Sequence, residues 1–82
     1  MPGETTVLMY SRRRCGLCDE AREVIEEVRA GMRAPFRFEE VFIDGDVSLE
    51  REYGLRVPVV EVDGIERFEI AVEPMRLREL VA

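Results

Sequence analysis

The stretch that decides the fold is residues 5–18, Thr5-Thr6-Val7-Leu8-Met9-Tyr10-Ser11-Arg12-Arg13-Arg14-Cys15-Gly16-Leu17-Cys18. Its first half is β-branched and apolar up to the polar Ser11, which is typical of a buried strand. From Leu17 the apolar residues recur at helical spacing, at positions 17, 18, 21, 24, 25, 28 and 32, and Gly31 marks the end of that helix. The two cysteines therefore lie where a strand gives way to a helix.

A second strand and a second helix follow. In residues 36–43 apolar and polar side chains alternate at first, and the last three residues are all apolar. This pattern is expected of a strand that passes from the edge of a sheet to its centre. Asp46 can cap the next helix, which has Leu49 and Tyr53 on one face and ends at Gly54.

The rest of the chain predicts a hairpin and a last helix. Two short strands, 59–62 and 65–70, are joined by Asp63-Gly64, a strong signal for a two-residue hairpin turn. Pro74 fits the first turn of a helix. The apolar positions of that helix are Leu77, Leu80 and Val81.

The element order is thus β-α-β-α-β-β-α, which places the chain in the α/β class. The first strand–helix–strand unit predicts a parallel pair, and the hairpin adds an antiparallel pair. We expect a four-stranded mixed sheet flanked by three helices. No repeat or long linker divides the chain, so residues 1–82 are predicted to form a single domain.

Composition narrows the chemistry. The 82 residues include 18 acidic and 12 basic side chains, for a net charge of −6, and every basic residue is Arg. There is no His, Lys, Trp, Asn or Gln, so the chain alone cannot supply a His-based triad, a Lys Schiff base, a Walker-type phosphate loop or a His-liganded metal site. The acidic balance also disfavours nucleic acid as a partner.

Targeting signals are not evident. Residues 1–4 lack the basic-then-apolar pattern of a signal peptide, and no apolar run approaches the about 18 to 20 residues needed to cross a bilayer. We therefore expect a cytoplasmic monomer with no membrane partner.

The two cysteines are spaced for thiol–disulfide exchange. Residues i and i+3 share a helix face, so the sulfurs of Cys15 and Cys18 can meet. Cys15 is expected to be exposed at the helix N-terminus beside three Arg residues, 12–14, which favours its thiolate, whereas Asp19 and Glu20 oppose that effect. Cys18, one turn further and next to the apolar stripe, should be more protected. Cys15 is then the nucleophile and Cys18 the resolving thiol.

Other interpretations of these features stay open at this point. The pair could be half of a zinc site, but the chain has no further Cys or His, so such a site would need a dimer, and we predict no metal site within one chain. It could be a structural disulfide, although the loop it closes is too short to stabilise much, or a pair of inert core thiols. The run of three Arg could be a solvated loop, or it could tune Cys15 or steer anionic partners.

Several segments together resemble one family. Residues 8–12 and 15–21, followed by residues 53–59 and by Asp63-Gly64, are similar to the glutaredoxin-like branch of the thioredoxin superfamily. The resemblance covers nearly the whole chain. It implies a thioredoxin-like fold and a disulfide oxidoreductase that uses Cys15 and Cys18.

The resemblance also implies a substrate site. In that superfamily the proline that precedes the hairpin is cis, so Val57–Pro58 should be cis, and Val57 should offer its backbone to an extended substrate segment. Arg12 stands where glutaredoxins carry a basic residue that meets a carboxylate of glutathione. The predicted substrate-contact residues are Arg12, Arg14, Gly16, Leu17, Val57 and Pro58.

The chain departs from the glutaredoxin pattern in one region. Glutaredoxins have a Gly-Gly pair and an acidic residue after the hairpin, whereas residues 66–69 are Glu-Arg-Phe-Glu. The expected substrate is a disulfide-containing protein or a glutathione mixed disulfide, with a thiol reductant or a reductase as electron donor. No bound cofactor is expected, and glutathione could enter as a co-substrate. The alternative is a non-catalytic thioredoxin-fold binding module or a metal-bridged dimer.

Overall fold

The structure, a computed structural model, describes residues 4–82. Over that part of the chain the elements follow the predicted order, β-α-β-α-β-β-α, with boundaries within a residue or two of those expected. They are β1 (Thr6–Ser11), α1 (Gly16–Ala30), β2 (Arg37–Phe42), α2 (Val47–Tyr53), β3 (Val59–Val62), β4 (Ile65–Glu69) and α3 (Pro74–Val81).

The four strands form one mixed sheet in the order β2-β1-β3-β4. β1 runs parallel to β2, with Thr6 opposite Arg37 and Ser11 opposite Phe42. β3 pairs antiparallel with both β1 and β4. The predicted mixed sheet is therefore confirmed, and β1 and β2 end at the same edge of it, beside the start of α1.

The hairpin between β3 and β4 turns at the predicted pair. Asp63 and Gly64 both have positive φ, +50° and +83°, as a two-residue type I′ turn requires. The Asp63 carboxylate also accepts a hydrogen bond from the Thr6 N–H at 2.9 Å. The hairpin is thereby tied to the beginning of β1.

Side-chain caps begin the two shorter helices. The Asp46 carboxylate accepts a hydrogen bond from the backbone N–H three residues later, at 3.0 Å, as predicted for α2. At the start of α3, Glu73 accepts from the N–H groups of Met75 and Arg76, each at 2.9 Å, and Pro74 occupies the first turn. These contacts satisfy backbone donors that a helix leaves unpaired at its N-terminus.

The larger of two apolar clusters, which we call the main core, fills the space between the sheet and helices α1 and α3. Ile25 on α1 and Leu77 on α3 are completely buried there. The buried members of the main core are Val7, Met9, Ala21, Ile25, Val28, Phe36, Val60, Val62, Val72, Leu77 and Val81.

A second and smaller cluster, the site cluster, lies at the sheet edge where β1 and β2 end. Tyr10 belongs to it rather than to the main core, because successive side chains of a strand point to opposite faces and α2 covers the face of Tyr10. Its buried members are Cys18, Ile43 and Val57, with Tyr10, Cys15, Leu49 and Tyr53 packed against them.

No helix within residues 4–82 is long and apolar enough to span a bilayer. Over the same residues, no group of three or more His, Cys, Asp or Glu side chains is placed to hold a metal ion. The expectation about a leader sequence falls largely on residues 1–3, which lie outside the described part of the chain.

Candidate active site

The cysteine pair forms the N-terminal boundary of α1. Cys15 is the N-cap, with an extended backbone at φ −119° and ψ 105°. The two sulfurs are joined in a disulfide, and the Cα atoms are 5.2 Å apart, within the usual range for such a bond. The backbone N–H of Cys18 also donates a hydrogen bond to Sγ of Cys15 at 3.1 Å. The predicted meeting of the two sulfurs at i, i+3 spacing is confirmed.

The two sulfurs have different access to solvent. Cys18 has no exposed surface, because it faces inward on the buried stripe of α1. Cys15 is only partly exposed, less than the sequence predicted, but it remains reachable. An incoming reactant can therefore approach Cys15 and not Cys18.

Two tyrosines, Tyr10 on β1 and Tyr53 on α2, pack against the site cluster. The rings of Tyr10 and Tyr53 stack with their centroids 4.0 Å apart and an angle of 14° between their planes. Burial and then the neighbouring Tyr10 hydroxyl raise the pKa of Tyr53 to about 12. The sequence placed Tyr10 in the apolar run of the first strand and Tyr53 on the apolar face of the second helix. The i, i+4 spacing of Leu49 and Tyr53 predicted the inward face of α2, but not that the Tyr10 ring stacks on Tyr53 there.

The Val57–Pro58 peptide bond is cis, as the family resemblance implied. Both residues are buried beside the hairpin, and Val57 belongs to the site cluster with Cys18. The Pro58 carbonyl accepts a hydrogen bond from the Ile70 N–H at 2.8 Å. By contrast, the N–H and carbonyl of Val57 make no backbone hydrogen bond within residues 4–82. The Val57 backbone is therefore available for pairing.

The three arginines before Cys15 do not form one patch. The Arg13 guanidinium lies over the Phe42 ring, 5.1 Å from its centroid, and the Arg13 N–H donates to the Asp44 carboxylate at 3.0 Å. Arg12 extends instead over Gly54, where an added Cβ would lie 2.9 Å from its guanidinium nitrogen. Arg14 has a left-handed backbone, with φ 55°.

All three of these arginines are exposed, and none forms an ion pair within the described residues. The residues inside the motif are exposed as well. Gly16 faces open space, and Leu17 keeps 47% of its surface accessible. Of the predicted contact residues, Arg12, Arg14, Gly16 and Leu17 are therefore exposed, whereas Val57 and Pro58 are buried.

A polar network that the sequence did not reveal links α1 to the sheet. Ser11, predicted as the polar end of the first strand, is inside β1 and fully buried, and its hydroxyl donates to Glu40 at 2.6 Å. Arg22 donates to both Glu40 oxygens, at 2.8 and 2.6 Å, and to Asp19 at 2.9 Å. The network therefore ties the helical turn after Cys18 to β2.

Glu40 is charged in this network. Burial pushes its pKa up, but the hydrogen bonds from Arg22 and Ser11 outweigh burial and hold the pKa below the ordinary value of 4.5. The same bonds, from Glu40 first and then Asp19, raise the pKa of Arg22 above its usual range. Both ions therefore stay ionised at neutral pH.

A family profile described as "Glutaredoxin-like domain (DUF836)" matches residues 6–82. No curated protein matches the chain. Among solved structures, the chain is similar to target protein XcR50 from X. campestris, with 42% identity and a TM-score of 0.70 over 89% of this chain and 91% of that one.

Two more distant structures share the fold. Protein Ne2328 from Nitrosomonas europaea is 23% identical, with a TM-score of 0.80 over 100% of this chain and 96% of that one. A mutant thioredoxin from Halobacterium salinarum is also 23% identical, with a TM-score of 0.62 over 96% and 73%. The predicted thioredoxin-like fold is thereby confirmed.

Proposed function

The chain belongs to the glutaredoxin-like domain family, and from that premise we propose that it is a thiol–disulfide oxidoreductase, with Cys15 as nucleophile and Cys18 as resolving thiol. One observation carries the proposal. The disulfide at the start of α1 joins a partly exposed cysteine, Cys15, to a completely buried one, Cys18. Thiol–disulfide exchange needs this division, because one thiol has to meet the substrate and the other has to meet only its neighbour.

In the reduced protein, the Cys15 thiolate attacks a sulfur of the substrate disulfide. A bond forms between Cys15 and that sulfur, the substrate bond breaks, and the departing thiolate takes a proton from water. Cys18 then loses its proton and attacks Sγ of Cys15, which releases the second substrate sulfur as a thiol. Two electrons pass to the substrate, and the protein is left with the Cys15–Cys18 disulfide.

The local geometry supports the assigned roles. A thiolate on Cys15 would keep the hydrogen bond from the Cys18 N–H, now 3.1 Å long, and would lie at the positive end of α1. Cys18 is shielded from bulky reactants, yet its Cα is 5.2 Å from that of Cys15. Resolution within the protein is therefore favoured over attack by Cys18 on a second substrate.

We assign substrate contacts to the groups that surround Cys15. The Val57 backbone, whose N–H and carbonyl have no backbone hydrogen bond within residues 4–82, suits an extended segment laid beside Pro58. Arg12 and Arg14 offer guanidinium groups to a substrate carboxylate, and Gly16 and Leu17 leave room at the first turn of α1. The substrate is a protein disulfide or a glutathione mixed disulfide.

The oxidised protein is returned to the dithiol by a thiol reductant, glutathione included, or by a flavoprotein reductase. No bound cofactor or metal takes part, because the two thiols carry both electrons. We place the reaction in a reducing compartment, the cytoplasm, and assign it to the monomer.

Trapping the mixed disulfide tests this function. A Cys18→Ser variant, mixed with an oxidised substrate such as insulin, should accumulate a covalent adduct through Cys15, seen by mass spectrometry under non-reducing conditions. The matched control is Cys15→Ser, which should form no adduct because its remaining thiol is buried. An unreactive Cys15 at neutral pH would refute the proposal. A stable complex that survives Cys15→Ser would instead indicate a non-catalytic binding module.

A further inference from the structure

A shallow cleft leads away from the cysteine pair, between α1 and the loop that follows β4. Its volume is about 80 Å³, the volume of two or three water molecules and so of one small aliphatic side chain. Glu20 is the single charged residue of its lining. The apolar lining consists of Leu17, Ala21, Val24, Ile70, Ala71 and Val72.

The two residues at the mouth of the cleft are large and apolar but uncovered. Leu17 lies between the cysteines and is 47% exposed, and Ile70 is 41% exposed. Ala21 and Val72, deeper in the cleft, are part of the main core. The cleft is therefore a largely apolar surface that begins at Leu17, the residue before Cys18, and is open to solvent.

Ile70 has a backbone conformation that its side chain disfavours. Its φ is +73°, and the Ala71 N–H donates to the Glu69 carbonyl at 2.8 Å, so Ile70 is the central residue of a positive-φ γ-turn. Such turns are rare and strained, above all for a β-branched residue. Glycine would adopt the same backbone without strain. The side chain is thus present at a cost to the fold.

The strained turn is fixed next to the proposed substrate segment. The Ile70 N–H is shared between the carbonyls of Pro58, at 2.8 Å, and Arg56, at 3.2 Å. These two carbonyls flank Val57, whose own N–H and carbonyl are unpaired within the described residues. Backbone strain held by such contacts is typical of ligand clamps. Ile70 therefore stands between the cleft and the edge where a substrate would pair.

We propose that this cleft is a specificity subsite, which holds one aliphatic side chain next to the reacting cysteine of a polypeptide substrate. This inference rests on the proposed function and refines its substrate. A substrate of this kind is a disulfide in an apolar polypeptide segment. Glutathione disulfide, with charged ends and no aliphatic side chain, leaves the cleft empty and is the poorer substrate. The chemical step is unchanged, and the subsite acts by holding the substrate sulfur near Cys15.

Single-turnover exchange between reduced protein and four disulfides tests the subsite. Three are homodimers of blocked pentapeptides, Gly-Val-Cys-Val-Gly, Gly-Ala-Cys-Ala-Gly and Gly-Glu-Cys-Glu-Gly, and the fourth is glutathione disulfide. We expect the valine peptide to react about 10-fold faster than the alanine peptide, since added methyl groups in an apolar pocket have effects of this size. The glutamate peptide and glutathione disulfide should also react more slowly than the valine peptide.

Two variants separate a substrate role from a structural one. Ile70→Gly should bring the ratio of valine to alanine rates close to one, while its thermal unfolding midpoint does not fall, because glycine relieves the backbone. Leu17→Ala should also lower the ratio. The matched control is Ile65→Ala, on an exposed isoleucine outside the cleft lining, which should keep the ratio of the unmodified protein. Equal rates for the two peptides, or a ratio unchanged by Ile70→Gly, would overturn the subsite.

A binding measurement tests the subsite independently of disulfide exchange. If none of the four disulfides reacts, the proposed function fails, and the cleft is then judged by methyl NMR with the S-methylated valine peptide. Saturable shifts of the Leu17 and Ile70 methyl groups, absent with the S-methylated alanine peptide, support the subsite. Equal or absent shifts with the two peptides overturn it.

Discussion

The main core and the site cluster are built on different principles. The main core is entirely apolar, and most of its buried side chains come from the sheet and from helices α1 and α3. Among the described residues the site cluster has three buried members, one of which is the disulfide-bonded Cys18, and two partly buried tyrosines pack against it. Stability therefore resides mainly in the first region. In the site cluster, Cys18 is completely buried and Cys15 stays partly exposed.

The largest effect that this comparison predicts is on the free energy of unfolding. Ile25→Ala empties a fully buried position in the middle of the main core. It should lower stability by about 2–5 kcal/mol, the range for such truncations. The loss should be equal in the oxidised and reduced protein, because Ile25 lies outside the site cluster. Urea unfolding of both forms measures it.

Ile43→Ala is the matched change in the site cluster. Its cost should lie nearer the lower end of that range, because partly exposed neighbours can relax into the space. Its cost should also differ between the oxidised and reduced forms, since Ile43 packs with Cys18. By the thermodynamic cycle that difference is a change in reduction potential, with about 30 mV for each 1.4 kcal/mol. If Ile43→Ala lowers the free energy of unfolding equally in the oxidised and reduced protein, the site cluster responds like the main core and the comparison fails.

A polar network lies at the border between the main core and the site cluster. The inward-facing residues of β1 are Val7, Met9 and then Ser11, so the buried face of this strand changes from apolar to polar at its C-terminal end. There the Glu40 carboxylate binds Ser11 and Arg22. Glu40→Gln should lower stability at pH 7 by about 1–3 kcal/mol, because the hydrogen-bonded ion pair between Arg22 and Glu40 is broken and Arg22 keeps only Asp19 as a charged partner.

The contribution of Glu40 to the free energy of unfolding depends on pH. The pKa of Glu40 is lowered on folding, so its contribution is present above the unfolded value of 4.5 and is lost as the pH falls through the folded value. The stability gap between the original protein and Glu40→Gln should therefore narrow from pH 7 to pH 3 in urea unfolding. Ser48→Ala, an exposed hydroxyl on α2 with no side-chain hydrogen bond among the described residues, should show no such narrowing.

The elements that could be predicted from the sequence depend on local signals. The Asp63-Gly64 turn and the Asp46 cap need only their immediate neighbours, and both are as expected. Together with hydrophobic periodicity, such local signals were enough to predict the order of the strands and helices. The cysteine pair could be predicted for the same reason, because its spacing within one helix turn brings the sulfurs together.

The features that could not be predicted depend on contacts between distant residues or on loop geometry. Ser11 and Glu40 are 29 positions apart and meet only through the register of β1 and β2. Arg12 and Arg13 are adjacent in sequence, yet the loop sends them to different neighbours. Ile70 was expected to extend the last strand because β-branched residues favour strands, but β4 ends at Glu69 and Ile70 forms a γ-turn instead.

The smallest expected effect lies in the two tyrosines that pack against the site cluster. Because burial and then Tyr10 raise the pKa of Tyr53 to about 12, folding favours its neutral form, and that contribution is complete below pH 10 and is lost as the pH rises towards 12. Tyr53→Phe keeps the ring stack, so its stability at pH 7 should change by no more than about 1 kcal/mol. It should, however, lose less stability than the original protein between pH 9 and pH 11. The chain has two tyrosines, so ultraviolet absorbance of the folded protein can follow each phenolate. A Tyr53 that ionises at its ordinary pH would mean that water reaches the tyrosine side of the site cluster, which would contradict the packing described for it.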